Sequence, residues 1–465
     1  MFSKEVYERR RRILCDKVGK GLILLAGNEP SPMSYADNTF DFRQDSTFLY
    51  YFGLDLPSLA GVIDAESGRS VLFGNDAGID DLIWTGPVPA LRELAAEVGV
   101  GETRPFAELA DEISAAAASG RTVHYLPPYR AETSLLLSRL LGRPAESLFE
   151  GKSADLIFAV AEMREKKEEC ELDELRKAYE IGFEMHTAAM KMCRAGVREN
   201  EITGVINAIP KRMGGWGLSF PSIVTQHGET LHNSPTTEPL RDGRLLLVDA
   251  GGERASHYCS DHTRTYPVNG RFTERQREIY EIVLKAHDAV PQLLRPGMMY
   301  SDLHRAACVI LAEGLHDAGL ILCGGEEAVE AGVMSGLFMP HGLGHGIGLD
   351  VHDCQAVGER SFDFGEYLER AAATATCIHR ATWRLNPGTV LSDEPGIYFI
   401  PALIDKVRGE GRFKGLVDFA KLEGYKDFGG IRIEDDLIVT ETGCEITGGG
   451  TIPSKVADLE AFLAR

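Results

Sequence analysis

The sequence of 465 residues lacks several features that would assign it to a specialised class. No apolar stretch approaches the roughly 20 residues that a membrane-spanning helix needs, so we expect no membrane partner. Basic residues are scarce, because 49 Lys and Arg stand against 70 Asp and Glu and the formal net charge is −21. This balance argues against a nucleic-acid partner, since phosphate recognition needs clustered basic side chains.

Paired cysteines and internal repeats are also absent. The nine cysteines are an odd number without regular spacing, which predicts free thiols and a cytoplasmic, reducing location. No low-complexity segment and no short-period repeat of the solenoid kind is found. The apolar content of 44% is typical of a soluble globular protein.

Two N-terminal segments imitate functional signals. The basic run Arg9–Arg12 follows acidic residues in a predicted helix, and we interpret it as a solvated helix face. The apolar segment at 21–27 resembles the core of a signal peptide, but charged residues at 16–20 break the apolar region before it. We therefore predict a first core strand there.

The length favours two domains with a boundary near residue 160. Residues 1–160 alternate short apolar strands with helix patterns, which predicts an α/β domain. The predicted strands include 70–73 and 122–126, and the predicted helices include 90–98 and 106–118.

Residues 161–465 have a different pattern, with long helices followed by apolar hairpins. Helix patterns at 167–213 precede the segments carrying Asp249 and Asp261. Helix patterns at 273–318 precede the segments that carry the later acidic residues. The whole chain is therefore predicted to be an α+β protein of two domains.

Five residues in these segments predict a metal site: Asp249, Asp261, His345, Glu394 and Glu434. A carboxylate at the end of an apolar strand is costly unless it is paired or bound to a cation. Either aspartate alone would be interpreted as an ordinary turn residue. The three later segments, which carry His345, Glu394 and Glu434, favour metal binding instead. Four carboxylates and one imidazole suit two divalent ions, with Mn preferred and Co, Zn or Fe also able to bind.

The segment from His341 to His345 has the His-x-x-x-His spacing of helical zinc peptidases. Glycines at 342, 344, 346 and 348 make a helix improbable, because each costs about 1 kcal/mol relative to Ala. We predict an extended strand that a neighbouring chain segment approaches closely. No P-loop lysine supports a phosphate-binding loop.

Three segments resemble a known metallopeptidase family in the order of their residues as well as in composition: 41–54, 338–345 and 428–434. The family holds Xaa-Pro dipeptidase (prolidase), aminopeptidase P and, more distantly, methionine aminopeptidase. The resemblance covers nearly the whole chain. It implies a non-catalytic N-terminal domain at 1–160, a pita-bread domain of duplicated α+β units at 161–465, and a homodimer.

The resemblance also implies a role for each metal ligand. Asp249 would chelate one ion, Asp261 and Glu434 would bridge the pair, and His345 and Glu394 would complete the second site. Glu394 would also carry the proton from the attacking water to the leaving nitrogen.

Further residues take implied roles outside the ligand set. His232 and His352 resemble the pair that contacts the substrate and the developing oxyanion, and His341 resembles a residue of the proline pocket. Arg432 is similar to an arginine that steadies a ligand carboxylate. Arg380 stands where prolidases bind a dipeptide carboxylate, with Arg384 as the alternative register.

Three positions depart from the family pattern: Asp393, His262 and the loop at 225–228. They bear on the substrate more than on the existence of the site.

The resemblance implies an exopeptidase that cuts between an N-terminal residue and proline. The insertion at 398–430 resembles that of prolidase, so an Xaa-Pro dipeptide substrate is favoured. An aminopeptidase P that acts on longer peptides shares all five ligands and stays open. A catalytically inactive binding protein of the same fold is the other alternative, although the complete ligand set argues against it.

Overall fold

The computed structural model describes residues 2–355 and 384–464. Residue contacts divide the chain into two compact units, which consist chiefly of Met1–Arg164 and of Glu165–Asp353 with the later part of the chain. We retain residue 160 as the proposed domain boundary.

The first unit is built on a five-stranded mixed sheet. Its helices are α1 Lys4–Val18, α2 Ser46–Phe52, α3 Ile79–Thr85, α4 Leu91–Glu97, α5 Leu109–Ala118, α6 Ala131–Leu141 and α7 Ala154–Glu165. Its strands are β1 Leu22–Ala26, β2 Pro32–Tyr35, β3 Asn38–Thr39, β4 Ala60–Asp64, β5 Ser70–Phe73, β6 Glu102–Arg104 and β7 Val123–His124. The sheet order is β6-β5-β4-β1-β7, and β2 pairs only with β3.

The predicted elements of this unit are confirmed, with small shifts at their ends. The segment at 21–27 forms the buried strand β1, which pairs with β4 and β7. The predicted helix at 106–118 begins as one 3-10 turn and continues as α5. The unit is therefore an α/β layer with its own apolar core.

The interpretation of Arg9–Arg12 as a solvated helix face is wrong for two of its residues. Arg10 and Arg11 are buried on α1. Arg11 donates to the carbonyls of Tyr51 and Val98, and Arg10 donates to that of Tyr50. Burial lowers the pKa of Arg11 to about 10. The guanidinium groups satisfy carbonyls at the ends of α2 and α4, which a sequence pattern does not reveal.

The second unit contains long helices and several small sheets. Its helices are α8 Glu169–Met192, α9 Glu199–Arg212, α10 Glu274–Leu293, α11 Tyr300–Asp317, α12 Gly325–Glu330, α13 Pro401–Gly409, α14 Phe419–Glu423 and α15 Val456–Leu463. Its strands are β8 Gly217–Leu218, β9 Ile223–Thr225, β10 Leu245–Asp249, β11 Gly252–Glu253, β12 Thr263–Pro267, β13 Val390–Asp393, β14 Gly396–Tyr398, β15 Gly430–Arg432, β16 Asp435–Val439 and β17 Cys444–Ile446.

Six of these strands form two three-stranded antiparallel sheets, and the other four form the two-stranded sheets β8-β11 and β14-β15. One three-stranded sheet has the order β12-β10-β9 and the other has the order β13-β16-β17. A backbone bridge between Thr263 and Glu434 joins the first sheet to the chain that enters β16. Long helices precede both sheets, as predicted. The Thr263–Glu434 bridge lies where polar residues at the strand ends of the two sheets meet.

Apolar spacing on the helices agrees with their burial. On α8, Leu172, Leu175, Ala178 and Ile181 are all buried, as the helical period predicts. Over residues 2–355 and 384–464, no helix has the length and apolar character needed to cross a membrane. No disulfide bond joins any of the eight cysteines in the same ranges.

Candidate metal centre

Asp249 and Asp261 are placed by one antiparallel strand pair. Asp249 is the last residue of β10, and its backbone is paired with Thr263 at the start of β12. Asp261 therefore lies just before β12, close to the end of the strand that carries Asp249. The prediction that a hairpin connects them is confirmed, and both side chains are buried.

Three predicted ligands converge at one point. Asp261, His345 and Glu434 each offer a ligand atom, and these atoms lie within 4.8 Å of one another. The Nε2 atom of His345 is 3.5 Å from Oδ2 of Asp261. The same nitrogen is 3.6 Å from Oε1 of Glu394. Glu394 therefore borders the cluster through His345.

Asp249 is held by a chain of buried hydrogen bonds. Arg432 donates from Nη2 to Oδ2 of Asp249 at 2.5 Å and from Nη1 to the hydroxyl of Tyr398 at 2.9 Å. Its Nε donates to Oγ1 of Thr263 at 3.1 Å. The hydroxyl of Thr263 in turn donates to Oε2 of Glu434 at 2.8 Å. Arg432 thus contacts one predicted ligand directly and is linked to another through Thr263, and its role as a positioning arginine stays a prediction.

The electrostatics of the cluster favour a cation. Burial, followed by repulsion from Glu434 and Asp249, raises the pKa of Asp261 well above its usual value. Burial, followed by repulsion from Glu394 and Asp249, raises the pKa of Glu434 in the same way. Among the described residues, Oδ1 of Asp249 and Oδ1 of Asp261 have no hydrogen-bond partner. Buried carboxylates with unsatisfied oxygens fit a divalent ion, which supplies the missing charge and ligand contacts.

The segment that carries His345 is not helical, as predicted, and it lies antiparallel beside β13, but it forms an isolated bridge between Gly346 and Leu391 instead of the predicted strand. Glu394 donates its backbone N–H to Leu343, and Ser392 donates its backbone N–H to His345. A Cβ on Gly344 would lie 2.1 Å from the carbonyl oxygen of Ser392, so glycine is required for this approach. His345 also donates its backbone N–H to Oγ of Ser392 at 3.0 Å.

The three remaining predicted histidines lie in different environments. The ring of His352 is centred 3.9 Å from the ring of His345. His341 contacts the Tyr398 hydroxyl through Nε2 at 2.9 Å, and its Nδ1 is 3.9 Å from Oε2 of Glu394. His232 is exposed on a turn between β9 and β10. The structure therefore brings His341 and His352 close to the predicted ligands His345 and Glu394.

Of the two arginines predicted as alternatives for binding the substrate carboxylate, only Arg384 lies within the described residues. Arg380 lies outside the described residues, so its role stays a prediction. Arg384 is exposed and donates to the backbone carbonyl of Gly297 at 2.6 Å. This contact is with a loop carbonyl and joins Arg384 to none of the predicted ligands.

The family departures Asp393 and His262 are fully buried. Side chains alternate along an extended chain, so Asp393 faces away from Ser392 and Glu394. His262 likewise faces away from Asp261, and its ring meets Tyr179 edge-on at 5.2 Å. Both side chains therefore belong to the layer behind the ligands.

The sequence interpretation missed several residues that hold the ligands in place. Tyr398 links His341 to Arg432, and burial raises its pKa to about 12. Arg264 is fully buried, donates to the backbone carbonyl of Glu434 at 2.7 Å and pairs with Asp435 at 2.8 Å. The sequence of β12, Thr-Arg-Thr-Tyr-Pro, is not apolar, so it gave no signal that this arginine would be buried among acceptors.

Comparison with known proteins agrees with this geometry. Residues 173–441 match the model of metallopeptidase family M24, and residues 7–124 match the aminopeptidase P N-terminal domain. The chain belongs to metallopeptidase family M24. The human Xaa-Pro dipeptidase is 31% identical over 476 residues, covering 99% of this chain and 93% of the human protein. The Xaa-Pro aminopeptidase of Escherichia coli K12 is 30% identical over 471 residues, covering 99% and 98% of the two chains.

A solved structure extends the family assignment to the fold. Zinc-substituted E. coli aminopeptidase P in complex with product matches with a TM-score of 0.80 and 30% identity, over 100% of this chain and 99% of that chain. The predicted two-domain architecture with a C-terminal pita-bread domain is therefore confirmed. The protein is a family M24 metallopeptidase with a candidate metal-binding cluster.

Proposed function

We propose that this chain is an exopeptidase that hydrolyses the bond between an N-terminal residue and a following proline. The observation that carries the proposal is the buried cluster of Asp261, His345 and Glu434 beside Glu394. Chains of similar length named Xaa-Pro dipeptidase and Xaa-Pro aminopeptidase support the choice of substrate.

We propose that the residues present hold two divalent ions. Asp249, Asp261, His345, Glu394 and Glu434 form the proposed ligand set, and its carboxylates favour Mn, with Co, Zn or Fe as alternatives. When bound, the ions would supply a water molecule of lowered pKa and would polarise the scissile carbonyl group.

The chain's own side chains supply the remaining steps. Glu394 takes a proton from the attacking water and delivers it to the proline nitrogen, since a carboxylate beside the reacting atoms suits both transfers. His352 and His232 donate hydrogen bonds to the oxyanion of the tetrahedral intermediate. The ring of His341, held by Tyr398, lines the pocket for proline.

We favour a dipeptidase because the insertion at 398–430 resembles that of prolidase. In the structure this insertion contains α13 and α14 and connects β14 to β15, which pair with each other. The match to the solved aminopeptidase P supports the second candidate, an aminopeptidase that acts on longer peptides. A catalytically inactive binding protein on this fold is disfavoured by the complete ligand set.

Metal dependence and substrate length test these proposals in one assay. Exhaustive chelation is expected to abolish hydrolysis of Ala-Pro, and Mn or Co is expected to restore it. Full activity after chelation would refute metal catalysis. Faster hydrolysis of Ala-Pro than of Ala-Pro-Ala supports the dipeptidase, and the reverse order supports aminopeptidase P. No hydrolysis of either peptide by metal-loaded protein would favour the binding protein.

Two further proposals concern the state of the protein. We propose a homodimer, which light scattering on the purified chain tests directly. We also propose a cytoplasmic location, because nine cysteines without regular spacing or a paired motif are typical of proteins from a reducing compartment.

A further inference from the structure

A buried ion pair is formed by Asp353, the residue that follows His352, and Lys167. The Nζ atom of Lys167 is 3.1 Å from Oδ2 of Asp353, and their side chains are only 3% and 4% exposed. Lys167 stands between α7 and α8, far from Asp353 in sequence. A buried pair of this kind is costly to break, because removal of one partner leaves an uncompensated charge.

Both partners of this pair are anchored to the strands of the metal centre. Lys167 donates its backbone N–H to Gly388, just before β13, at 2.9 Å. Asp353 donates its backbone N–H to Gly346 at 2.9 Å, which closes the loop at 346–353. The loop therefore has one end beside the ligand His345 and the other end on the ion pair.

Gly348 shows how tightly the Asp353 carboxylate is packed against the loop. A Cβ at position 348 would lie 2.5 Å from Oδ2 and 2.8 Å from Oδ1 of Asp353. The carboxylate is held by Lys167, so it has little freedom to move aside. The position of the carboxylate and the path of the loop are consequently coupled.

We propose that the Lys167–Asp353 pair is a positioning device for His352. Asp353 immediately follows His352, so fixing its carboxylate limits the directions in which the neighbouring imidazole can point. That imidazole is centred 3.9 Å from the ring of His345. The proposal rests on the proposed function, in which His352 contacts the reacting carbonyl, and it assigns no substrate contact to Lys167 or Asp353.

A double-mutant cycle separates positioning from a general structural effect. Asp353→Asn is expected to lower kcat on Ala-Pro about ten-fold or more, as is typical for residues that orient a functional group. KM and the number of bound metal ions are expected to stay unchanged. In a His352→Ala background, the same substitution is expected to change kcat less than about two-fold. An equal loss in both backgrounds would overturn the proposal.

Gly348→Ala tests the same device without removing a charge. Its Cβ would displace the carboxylate, so kcat is expected to fall as it does for Asp353→Asn. Gly204→Ala is the matched control, because a Cβ there meets nothing within 4 Å. Unchanged kcat in Gly348→Ala would contradict the coupling. If Asp353→Asn fails to fold, the Lys167→Met/Asp353→Asn double variant removes both charges together and replaces it in the cycle.

A measurement independent of activity distinguishes failure of this inference from failure of the proposed function. In protein labelled at histidine Cε1, the NMR signal of His352 is assigned by its loss in His352→Ala. The signal is expected to shift in Asp353→Asn and in Gly348→Ala but not in Gly204→Ala. An unchanged signal in both variants refutes positioning. Wild-type protein that cleaves no Xaa-Pro peptide refutes only the proposed function, and the NMR comparison then decides the inference.

Discussion

Replacement of Arg432 by methionine should destabilise the metal-free protein far more than the metal-loaded protein. Arg432 is buried and donates three side-chain hydrogen bonds, to Asp249, Tyr398 and Thr263. The bond to the Asp249 carboxylate alone is of a type that contributes about 1.5–3 kcal/mol. Methionine would also leave this carboxylate buried without its charged partner, and such losses total about 3–5 kcal/mol.

Metal should reduce this deficit because a bound cation compensates the same carboxylate. The assay is urea unfolding of wild type and Arg432→Met, each with chelator and with saturating Mn. Arg408→Met is the matched control, because Arg408 pairs with Glu423 at the surface, where such pairs contribute about 0–1 kcal/mol. A deficit below about 1 kcal/mol without metal, or an equal deficit in both conditions, would refute this account of Arg432.

Three further outcomes follow from the same geometry. Glu394→Gln should abolish turnover and weaken metal binding, whereas His352→Ala should lower kcat with both metals retained. Metal analysis and kinetics on both variants test this, and loss of metal in His352→Ala would contradict the roles. Contacts with Asp288 and Asp435 outweigh burial and raise the pKa of His287 from 6.5 to about 9. The raised pKa contributes about 3 kcal/mol to stability below pH 6.5, and this contribution is lost as pH rises through about 9. In urea unfolding, the stability advantage of wild type over His287→Gln should therefore shrink between pH 6.5 and pH 9. An advantage that stays constant over this range would contradict the prediction. Arg380→Ala should raise KM for Ala-Pro by a factor that corresponds to about 1.5–3 kcal/mol of binding free energy, and it should change KM for Ala-Pro-Ala much less. An equal rise in KM for both peptides would instead favour aminopeptidase P.

The elements that carry the ligands could be predicted because their signals are local. Apolar runs that end in Asp249 or lead into Glu394 indicate strands, and the glycines around His345 exclude a helix. The order of these segments then matches one family. For this reason the fold class was predicted correctly, and the structure brings Asp261, His345 and Glu434 together.

The supporting contacts could not be predicted because they join distant parts of the chain. Tyr398 and Arg432 are 34 positions apart, and Arg432 and Asp249 are 183 apart. No period or spacing relates such residues, and only the folded sheets bring them together. Arg11 was missed for the same reason, because its acceptors are carbonyls 40 and 87 positions away.

The bridge between Thr263 and Glu434 has a consequence for the time at which the metal centre can form during synthesis. The two residues are 171 positions apart, and Thr263 begins β12 of one three-stranded sheet whereas Glu434 immediately precedes β16 of the other. At about 5–20 residues per second, a ribosome needs on the order of 10–40 s to add the rest of the chain after Asp261 has been made. The nascent first half therefore presents two aspartates without their later partners. Selection among the metal ions of the cell is consequently made by the finished chain.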